Sequence, residues 1–337
     1  MAAILDFPVN ITRKTVAVSE RGFGTILVFT DEKDIEYTVV TNEDLADYED
    51  TPKAHALLTR LYMQKPQPQN VVIVGTATQG GIPEGIANLI KEGDSDFFFI
   101  TTTSNDVETI KKISETAQTA NKVYAVTVNS MEAVEALSEE VYDNTFVFYH
   151  PETDSYLAEA MAVIMSFDIG GKTGKFKQVQ GVRDAKASNT ELNTLKKANM
   201  QSYIKKLGVL QTTEGKMLSG EYIDVVLGEY WIRFRLEEAL QRLALVEKKI
   251  PYTDRGIGML VGETEKVLQR AVDQDIVEDG QYRIDYRKRK DVPVNEVALR
   301  KYDYIVWTAM LQGAIHQGQI SGIVTYEMVN EVEEDDR

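Results

Sequence analysis

A glycine-rich stretch, GTATQGG, is the part of the sequence that most resembles a ligand-binding loop, and it runs from Gly75 to Gly81. The apolar segment NVVIVG precedes it and a helix is predicted to begin at Ile82, so backbone amides of the loop could cradle a phosphate. A Walker motif, however, needs Lys where Gly81 stands and Ser or Thr where Ile82 stands. A nucleotide-binding α/β enzyme that uses this loop is therefore one hypothesis, although a tight strand-to-helix turn is favoured.

Three other stretches resemble active-site motifs, and each lacks a required feature. GGKT at 170–173 has the Lys and Thr of a phosphate loop, but Ser166 occupies the place of the first Gly. His150 follows an apolar segment and Asp154 comes four residues later, but no GxSxG motif accompanies them, so a hydrogen-bonded structural histidine is favoured. DQDIVEDG at 273–280 lacks the mid-loop Gly of a calcium loop. We therefore predict no catalytic residue, no metal site and no cofactor.

The composition restricts the classes of function further. The chain has 337 residues, no Cys and three His that lie far apart, so Cys-based sites are impossible and a multi-His metal site is not expected. With 37 Lys and Arg against 53 Asp and Glu, the net charge of −16 disfavours binding to nucleic acid. No apolar run approaches the ~18 residues of a membrane helix, and the start lacks the features of a signal peptide. We expect a protein without membrane insertion, made in a cytoplasm.

The elements that would position these residues alternate between apolar strands and amphipathic helices. Strands are predicted at 70–75, 97–103, 122–128 and 144–150, and helices from Ile82, at 106–120, at 130–140 and at 154–167. Continuous apolar strands separated by such helices are typical of a parallel sheet that is covered on both faces. The predicted fold class is therefore α/β, or α+β overall, with a mixed sheet layer flanked by helices.

Outside this alternation the pattern changes to terminal strands and long helices. Strands are predicted within 13–40, at 175–182, 281–286, 304–311 and 318–326, and helices from Pro52, at 189–206, 221–248 and 255–274. The predicted organisation is an N-terminal arm (1–21), an α/β domain (22–168), a helical and β region that completes the core (169–312), and a C-terminal arm with an acidic tail (313–337).

Two consecutive passages, SGEYIDVVLGEYWIRFRLEEALQRL and KKIPYTDRGIGML, resemble the tail sheath-like family of contractile phage tails. The segments RGFGTILVF, YHPE, GKFKQVQGV and GAIHQGQISGIV extend the resemblance over most of the chain in the same order. The matching positions in the two passages are Gly220, Glu221, Tyr222, Ile223, Asp224, Trp231, Ile250, Pro251, Tyr252, Thr253, Asp254, Gly256 and Ile257.

The resemblance implies a structural subunit and not an enzyme. Such a subunit would assemble with itself into six-fold rings stacked helically around a tail tube protein, with baseplate and tail terminator proteins as further partners. It would rearrange into a shorter, wider sheath that drives the tube through a cell envelope. The particle would be a phage virion or a phage-tail-like bacteriocin, and both alternatives stay open.

The resemblance also implies strand exchange between subunits through the two arms, since strands at chain ends present open backbone edges. An ordinary edge strand of the chain's own domain is the alternative. Gly313 and Gly318 are candidate hinges, because Gly tolerates dihedrals that other residues avoid. The candidate subunit-contact residues are Val9, Ile11, Val16 and Val18 in the first arm, and Ile320, Ile323, Val324 and Tyr326 in the second.

The only basic cluster of the sequence is Arg287, Lys288, Arg289 and Lys290. A sheath that holds its tube and later releases it requires a contact that is mainly polar and salt-sensitive. The cluster is therefore a candidate tube-facing patch, with a solvated surface patch as the alternative.

Overall fold

The structure is a computed structural model that describes residues 22–68, 70–93 and 96–319. Its larger sheet has eight strands: β1 Thr25–Thr30, β2 Ile35–Val40, β3 Asn70–Gly75, β4 Phe99–Thr102, β5 Val123–Val128, β6 Thr145–Tyr149, β7 Gln201–Lys206 and β8 Val209–Thr212. Their spatial order is β2-β3-β1-β4-β5-β6-β7-β8. The strands from β3 to β7 run parallel, while β2 and β8 are antiparallel to their neighbours at the two edges.

The helices of the described residues are α1 Pro52–Tyr62, α2 Ile82–Glu92, α3 Val107–Ala120, α4 Met131–Leu137, α5 Leu157–Ser166, α6 Asn189–Lys197, α7 Ile223–Val246, α8 Asp254–Asp273 and α9 Val294–Ala298. Short 3₁₀ turns lie at Asp44–Tyr48 and Arg289–Asp291. Within the described ranges, no helix combines the length and the apolar character that a membrane span requires.

The large sheet separates two layers of hydrophobic core. Successive residues of a strand face opposite layers. Val28 of β1 packs among side chains of α1, α5, α7 and α8. Leu27, its neighbour in β1, packs among side chains of α2, α3, α4 and α6. Because both faces are covered, strands such as β5 and β6 are buried along their whole length. The predicted α/β fold class, with a mixed sheet between helical layers, is confirmed.

The long helix α7 and helix α8 form a hairpin around the segment IPYTD. Thr253 caps α8, because its Oγ1 accepts the Gly256 amide at 3.4 Å. A Cβ added at Gly256 would lie 1.8 Å from the carbonyl oxygen of Pro251, so the backbones meet too closely for any other residue. The close approach explains why this turn has Gly two residues after Asp254.

A second, smaller sheet follows α8 and has two antiparallel strands, β9 Val277–Tyr286 and β10 Ile305–Leu311. In their register Ile305 lies opposite Tyr286 and Trp307 lies opposite Ile284. One side of this sheet packs against the hydrophobic core through Ile284 and Leu311.

The predicted elements differ most from the structure in three places. The helix predicted over 189–206 ends at Lys197, because Asn199 takes a left-handed conformation (φ 54°) and β7 follows it. The segment 175–182 forms no regular strand, since Phe176 has φ 63°. Strand β9 begins at Val277, four residues before its predicted start. The strand expected within 13–20 and most of the one expected over 318–326 lie outside the described residues.

Candidate functional site

The loop Gly75–Gly81 lies at the carboxyl end of β3, next to β1. Ligands of open α/β sheets bind where the strand order reverses, which in this sheet is between β1 and β4, on the other side of β1 from the loop. The neighbouring turn between β1 and β2 contributes two acidic side chains to this edge, Glu32 and Asp34. The geometry around these carboxylates therefore tests whether the loop could hold a phosphate.

Both carboxylates accept backbone amides at this edge of the sheet, and Asp34 accepts one from the loop itself. Asp34 Oδ1 accepts the Ala77 amide at 2.6 Å. Glu32 accepts the Lys53 and Ala54 amides at 3.0 and 2.8 Å, at the start of α1. Fixed negative charge on these donors repels a second anion. The arrangement favours a structural turn and argues against the nucleotide-binding alternative.

His150 is a structural side chain, as favoured from the sequence. It is fully buried, its Nδ1 accepts the Glu152 amide at 3.1 Å, and its Nε2 lies 3.0 Å from the Arg183 carbonyl oxygen. Because Nδ1 accepts, Nε2 carries the proton and donates it to that carbonyl. Both ring nitrogens are therefore satisfied within the fold, and Asp154 is not among their partners.

A buried carboxyl that sequence reasoning missed lies at the start of α5. The side chain of Glu159 is 2% exposed and accepts the amide and hydroxyl of Thr127 at 2.9 and 2.5 Å. Burial raises the pKa of Glu159 to about 7, although the Thr127 hydrogen bonds oppose that rise. The available signal was a single carboxylate in the otherwise apolar helix LAEAMAVIMS. Its surroundings give it a packing role and no route to a ligand.

The small sheet of β9 and β10 has an exposed apolar face and open strand edges. Val306 and Met310 of β10 are 61% and 56% exposed, whereas Ala309 and Leu311 point to the other face and pack on the core. Among the described residues, β9 pairs only with β10, so each strand has an edge without a strand partner. Open edges and an exposed apolar face are the features to which further strands can be added.

The basic cluster lies on the connection between these two strands. Its two arginines and two lysines differ in the contacts that they make. The Arg287 guanidinium lies 4.4 Å from the ring centre of Tyr304, and Arg289 lies 5.6 Å from that of Tyr252. The Arg289 amide also donates to Asp254 Oδ1 at 2.6 Å. Lys288 and Lys290 are exposed, and within the described part of the chain they form no ion pair. The two arginines hold the connection in place, which leaves the two lysines available to a partner.

The two candidate hinges lie in the segment 312–319, which follows β10 and has no regular secondary structure. A Cβ added at Gly313 or Gly318 would meet nothing within 4 Å. The candidate contact residues lie outside the described residues: Val9, Ile11, Val16, Val18, Ile320, Ile323, Val324 and Tyr326.

Comparisons with known proteins bear on this arrangement. No protein-family model matches the chain, and no curated protein matches its sequence. Among solved structures, the helical sheath of the anti-feeding prophage in its contracted state superposes with a TM-score of 0.66 at 14% identity, covering 96% of this chain and 100% of that one. The chain has the fold of a contractile sheath protein.

Two further structures agree. The contracted sheath complex of the PVC extracellular contractile injection system has a TM-score of 0.64 at 8% identity, covering 97% of this chain and 99% of that one. A sheath tail protein from Desulfitobacterium hafniense has a TM-score of 0.57 at 9% identity, covering 90% of this chain and 99% of that one. At the level of the fold, the tail sheath resemblance noted in the sequence is confirmed over nearly the whole chain.

Proposed function

We propose that this chain is a structural subunit of a contractile tail sheath, which polymerises around a tail tube and contracts to drive the tube through a cell envelope. The observation that carries the proposal is the small sheet of β9 and β10, which has an exposed apolar face and open edges in a chain with the sheath fold. A protein that makes no contacts with other chains would gain nothing from a sheet with open edges and an exposed apolar face.

The two arms supply the missing strands in this proposal. Residues 8–20 and 318–326 of neighbouring subunits would add to the β9–β10 sheet through main-chain hydrogen bonds. Such pairing keeps subunits connected while their orientation changes, provided that short hinges absorb the motion. The apolar contact residues named above in both arms would then cover the exposed face around Val306 and Met310.

Contraction in this proposal consumes no nucleotide. The sheath would assemble in a metastable extended state, and repacking of subunits to a lower free energy would supply the work. The carboxylate of Asp34 supports this view, because it occupies the Ala77 amide of the Gly75–Gly81 loop, and Glu32 adds a second negative charge at the same edge of the sheet. Extended particles that contract in the absence of ATP would agree with the proposal, and a strict requirement for ATP hydrolysis would contradict it.

The proposed partners are the chain itself in stacked six-fold rings, a tail tube protein, and baseplate and terminator proteins. The anti-feeding prophage neighbour belongs to a six-fold symmetrised baseplate, which supports the ring and the baseplate contact. The cluster Arg287–Lys290 is the proposed tube-facing patch, with exposed Lys288 and Lys290 as its most accessible charges. The particle would be a phage tail or a phage-tail-like bacteriocin, assembled in the cytoplasm of a bacterial host.

Deletion of each arm tests the proposal. We expect the full chain to form hollow tubes or stacked rings, seen by negative-stain electron microscopy and gel filtration. Chains that lack residues 1–21 or 318–337 should stay folded and monomeric. A chain that lacks only the acidic residues 331–337 is the matched control and should still assemble.

Two outcomes would contradict the proposal. A chain without residues 318–337 that polymerises normally would show that the arm is dispensable. A full chain that stays monomeric, and whose melting temperature rises with nucleotide, would favour the enzyme alternative.

A further inference from the structure

The segment 312–319 is attached to the body of the protein at two points. At the first, the Gln312 amide donates to the Ile276 carbonyl oxygen at 2.9 Å, and the Gln312 side-chain amide lies 3.4 Å from Asp275 Oδ1. At the second, His316 is half-buried while the other residues of this segment are exposed, and its neighbour Ile315 is 89% exposed. The segment therefore crosses the surface as a strap with its two contacts four residues apart.

His316 sits in a pocket of three side chains from two distant parts of the sequence. Its Nε2 forms a 2.7 Å hydrogen bond with the Thr173 hydroxyl. Its ring lies edge-on to Tyr222 at 4.8 Å and to Phe176 at 6.1 Å between centres. Phe176, Tyr222 and His316 come from three of the segments that carry the sheath resemblance, and Thr173 directly precedes the first of them. The structure thus brings together residues whose common purpose the sequence did not reveal.

The pocket is rigid. The Thr212 hydroxyl donates to the Gly174 carbonyl oxygen at 2.8 Å and accepts the Lys177 amide at 2.9 Å, which fixes the loop that carries Thr173 and Phe176. Gly215 takes a left-handed conformation (φ 75°), and a Cβ added there would lie 2.7 Å from the Lys175 amide nitrogen. Tyr222 stands at the N-terminal cap of α7. A side chain seated here is therefore held by elements that do not themselves move easily.

We infer that His316 is an anchor that clamps residues 312–316 to the body, so that the C-terminal segment changes direction at Gly318 and not at Gly313. Gly313 lies between the two attachment points, and rotation about its backbone would break one of them. Gly318 lies beyond both. The anchor itself rests on these contacts, while its consequence for assembly rests on the proposed function.

The anchored position favours a neutral imidazole. Burial lowers the pKa of His316, and Lys175 lowers it further, whereas Glu214 opposes the shift. Since the anchored ring binds a proton less readily than the released ring, anchoring is complete above the ordinary pKa of 6.5 and weakens as the pH falls below it. The charged groups that act on the ring are Lys175, Lys177 and Glu214. One contact further out, Lys216 lies over the Tyr222 ring and Asp224 acts on Lys177.

Site-directed spin labelling of the full chain tests the anchor. Because the chain has no Cys, a single Gln317→Cys substitution places one nitroxide label beside the anchor. Addition of His316→Ala should raise the ratio of released to anchored label about tenfold, since a hydrogen bond and a packed ring are lost together. Thr173→Val should raise it by a smaller factor. Acidification from pH 7.5 to about 5.5 should release the label when His316 is present and have little effect in His316→Ala.

Controls separate release from unfolding. His55→Ala removes the same side chain from α1, where it makes no side-chain hydrogen bond to any described residue, and should leave the spectrum unchanged. A label at exposed Lys205 on β7 should be unaffected by His316→Ala. Equal label mobility with and without His316, at both pH values, would overturn the anchor whatever the chain's function.

A cross-link tests where the segment bends. Thr173→Cys with His316→Cys, joined by a short bifunctional thiol reagent, fixes the strap in its anchored position. If bending begins at Gly318, the cross-linked chain assembles as the unlinked double variant does. If only the unlinked chain assembles, bending must begin before His316 and the inference fails. Absence of tubes from the unsubstituted chain would instead contradict the proposed function, and the spin-label result would stand apart from it.

Discussion

The two sheets of the molecule differ in how far the chain completes them. Ile26, Leu27 and Val28 of β1 are fully buried, with strands on both sides and helices on both faces. In β10, Val306 is 61% exposed and one strand edge has no partner among the described residues. The large sheet is finished by the chain itself, whereas the small sheet is finished on one side only. The comparison supports the small sheet as the surface at which we propose that other chains add strands.

The incomplete sheet persists in the single chain because of α8. A two-stranded hairpin alone is marginal in water. Here Ile284 and Leu311 pack on the core and Gln312 bonds to the Ile276 carbonyl oxygen, so one face is stabilised before any partner arrives. In the proposed assembly this half-stabilised sheet would be a preformed platform for added strands, which would reduce the ordering cost of assembly.

Removal of one core side chain from each sheet should give the largest difference. Phe99→Ala in β4 leaves a cavity at a fully buried site and should lower the free energy of unfolding by about 3–5 kcal/mol. Met310→Ala in β10 removes a side chain that is 56% exposed and should change it by less than about 0.5 kcal/mol. Denaturant titration of both variants measures this. Equal losses would show that the small sheet is as complete as the large one.

The central strands of the large sheet were easier to predict from the sequence than its strands β7 and β8. Strands β3 to β6 are continuous apolar runs, because both of their faces are buried, and the sequence predicts them with small errors at the ends. The helix over 189–206 was wrong because QSYIKK lacks a distinct period, and its strand character comes from pairing with β6 and β8. Strand β8 was missed, since four residues, VLQT, carry too little pattern.

The candidate site was predictable only in part. Gly313, Gly318 and the basic cluster could be named because Gly and charge are visible in the sequence. The seat of His316 depends on Thr173 and Tyr222, which lie 143 and 94 residues away, and no spacing rule reports such a contact. For the same reason, the sequence did not separate the two hinge candidates.

The buried carboxyl of Glu159 should make the free energy of unfolding depend on pH. The pKa of this carboxyl is raised to about 7 from 4.5, so the folded state holds its proton more tightly than the unfolded state. Stability is therefore full below pH 4.5, falls as the pH rises from 4.5 to 7, and is flat beyond. The loss from this group is about 3 kcal/mol. Glu159→Gln should flatten the slope in urea titrations between pH 5 and 8.

Glu135→Gln is the matched control, because this carboxyl is exposed on α4. It should leave the slope unchanged. Burial also raises the pKa of Asp224, which adds to the slope in the same direction and should persist in Glu159→Gln. An unaltered slope in Glu159→Gln would show that the buried carboxyl is hydrated well enough to ionise freely.

The smallest expected effect concerns the turn between α7 and α8. A Cβ at Gly256 would meet the Pro251 carbonyl oxygen at 1.8 Å, so Gly256→Ala must shift the start of α8 and should cost about 1–3 kcal/mol. Gly258→Ala, two residues later in the same helix, meets nothing within 4 Å and should stabilise by about 0.5–1 kcal/mol.

The chain's two tryptophans report on the body and on the small sheet separately, since Trp231 is buried in α7 and Trp307 lies in β10. Single-tryptophan variants, made by Trp231→Phe or Trp307→Phe, allow each region to be followed by fluorescence. Because the small sheet packs on α8, Gly256→Ala should lower the denaturant midpoint seen by Trp307 more than that seen by Trp231. Equal shifts would mean that the incomplete sheet unfolds only with the whole body. Its dependence on added strands would then concern assembly alone and not the stability of the free subunit.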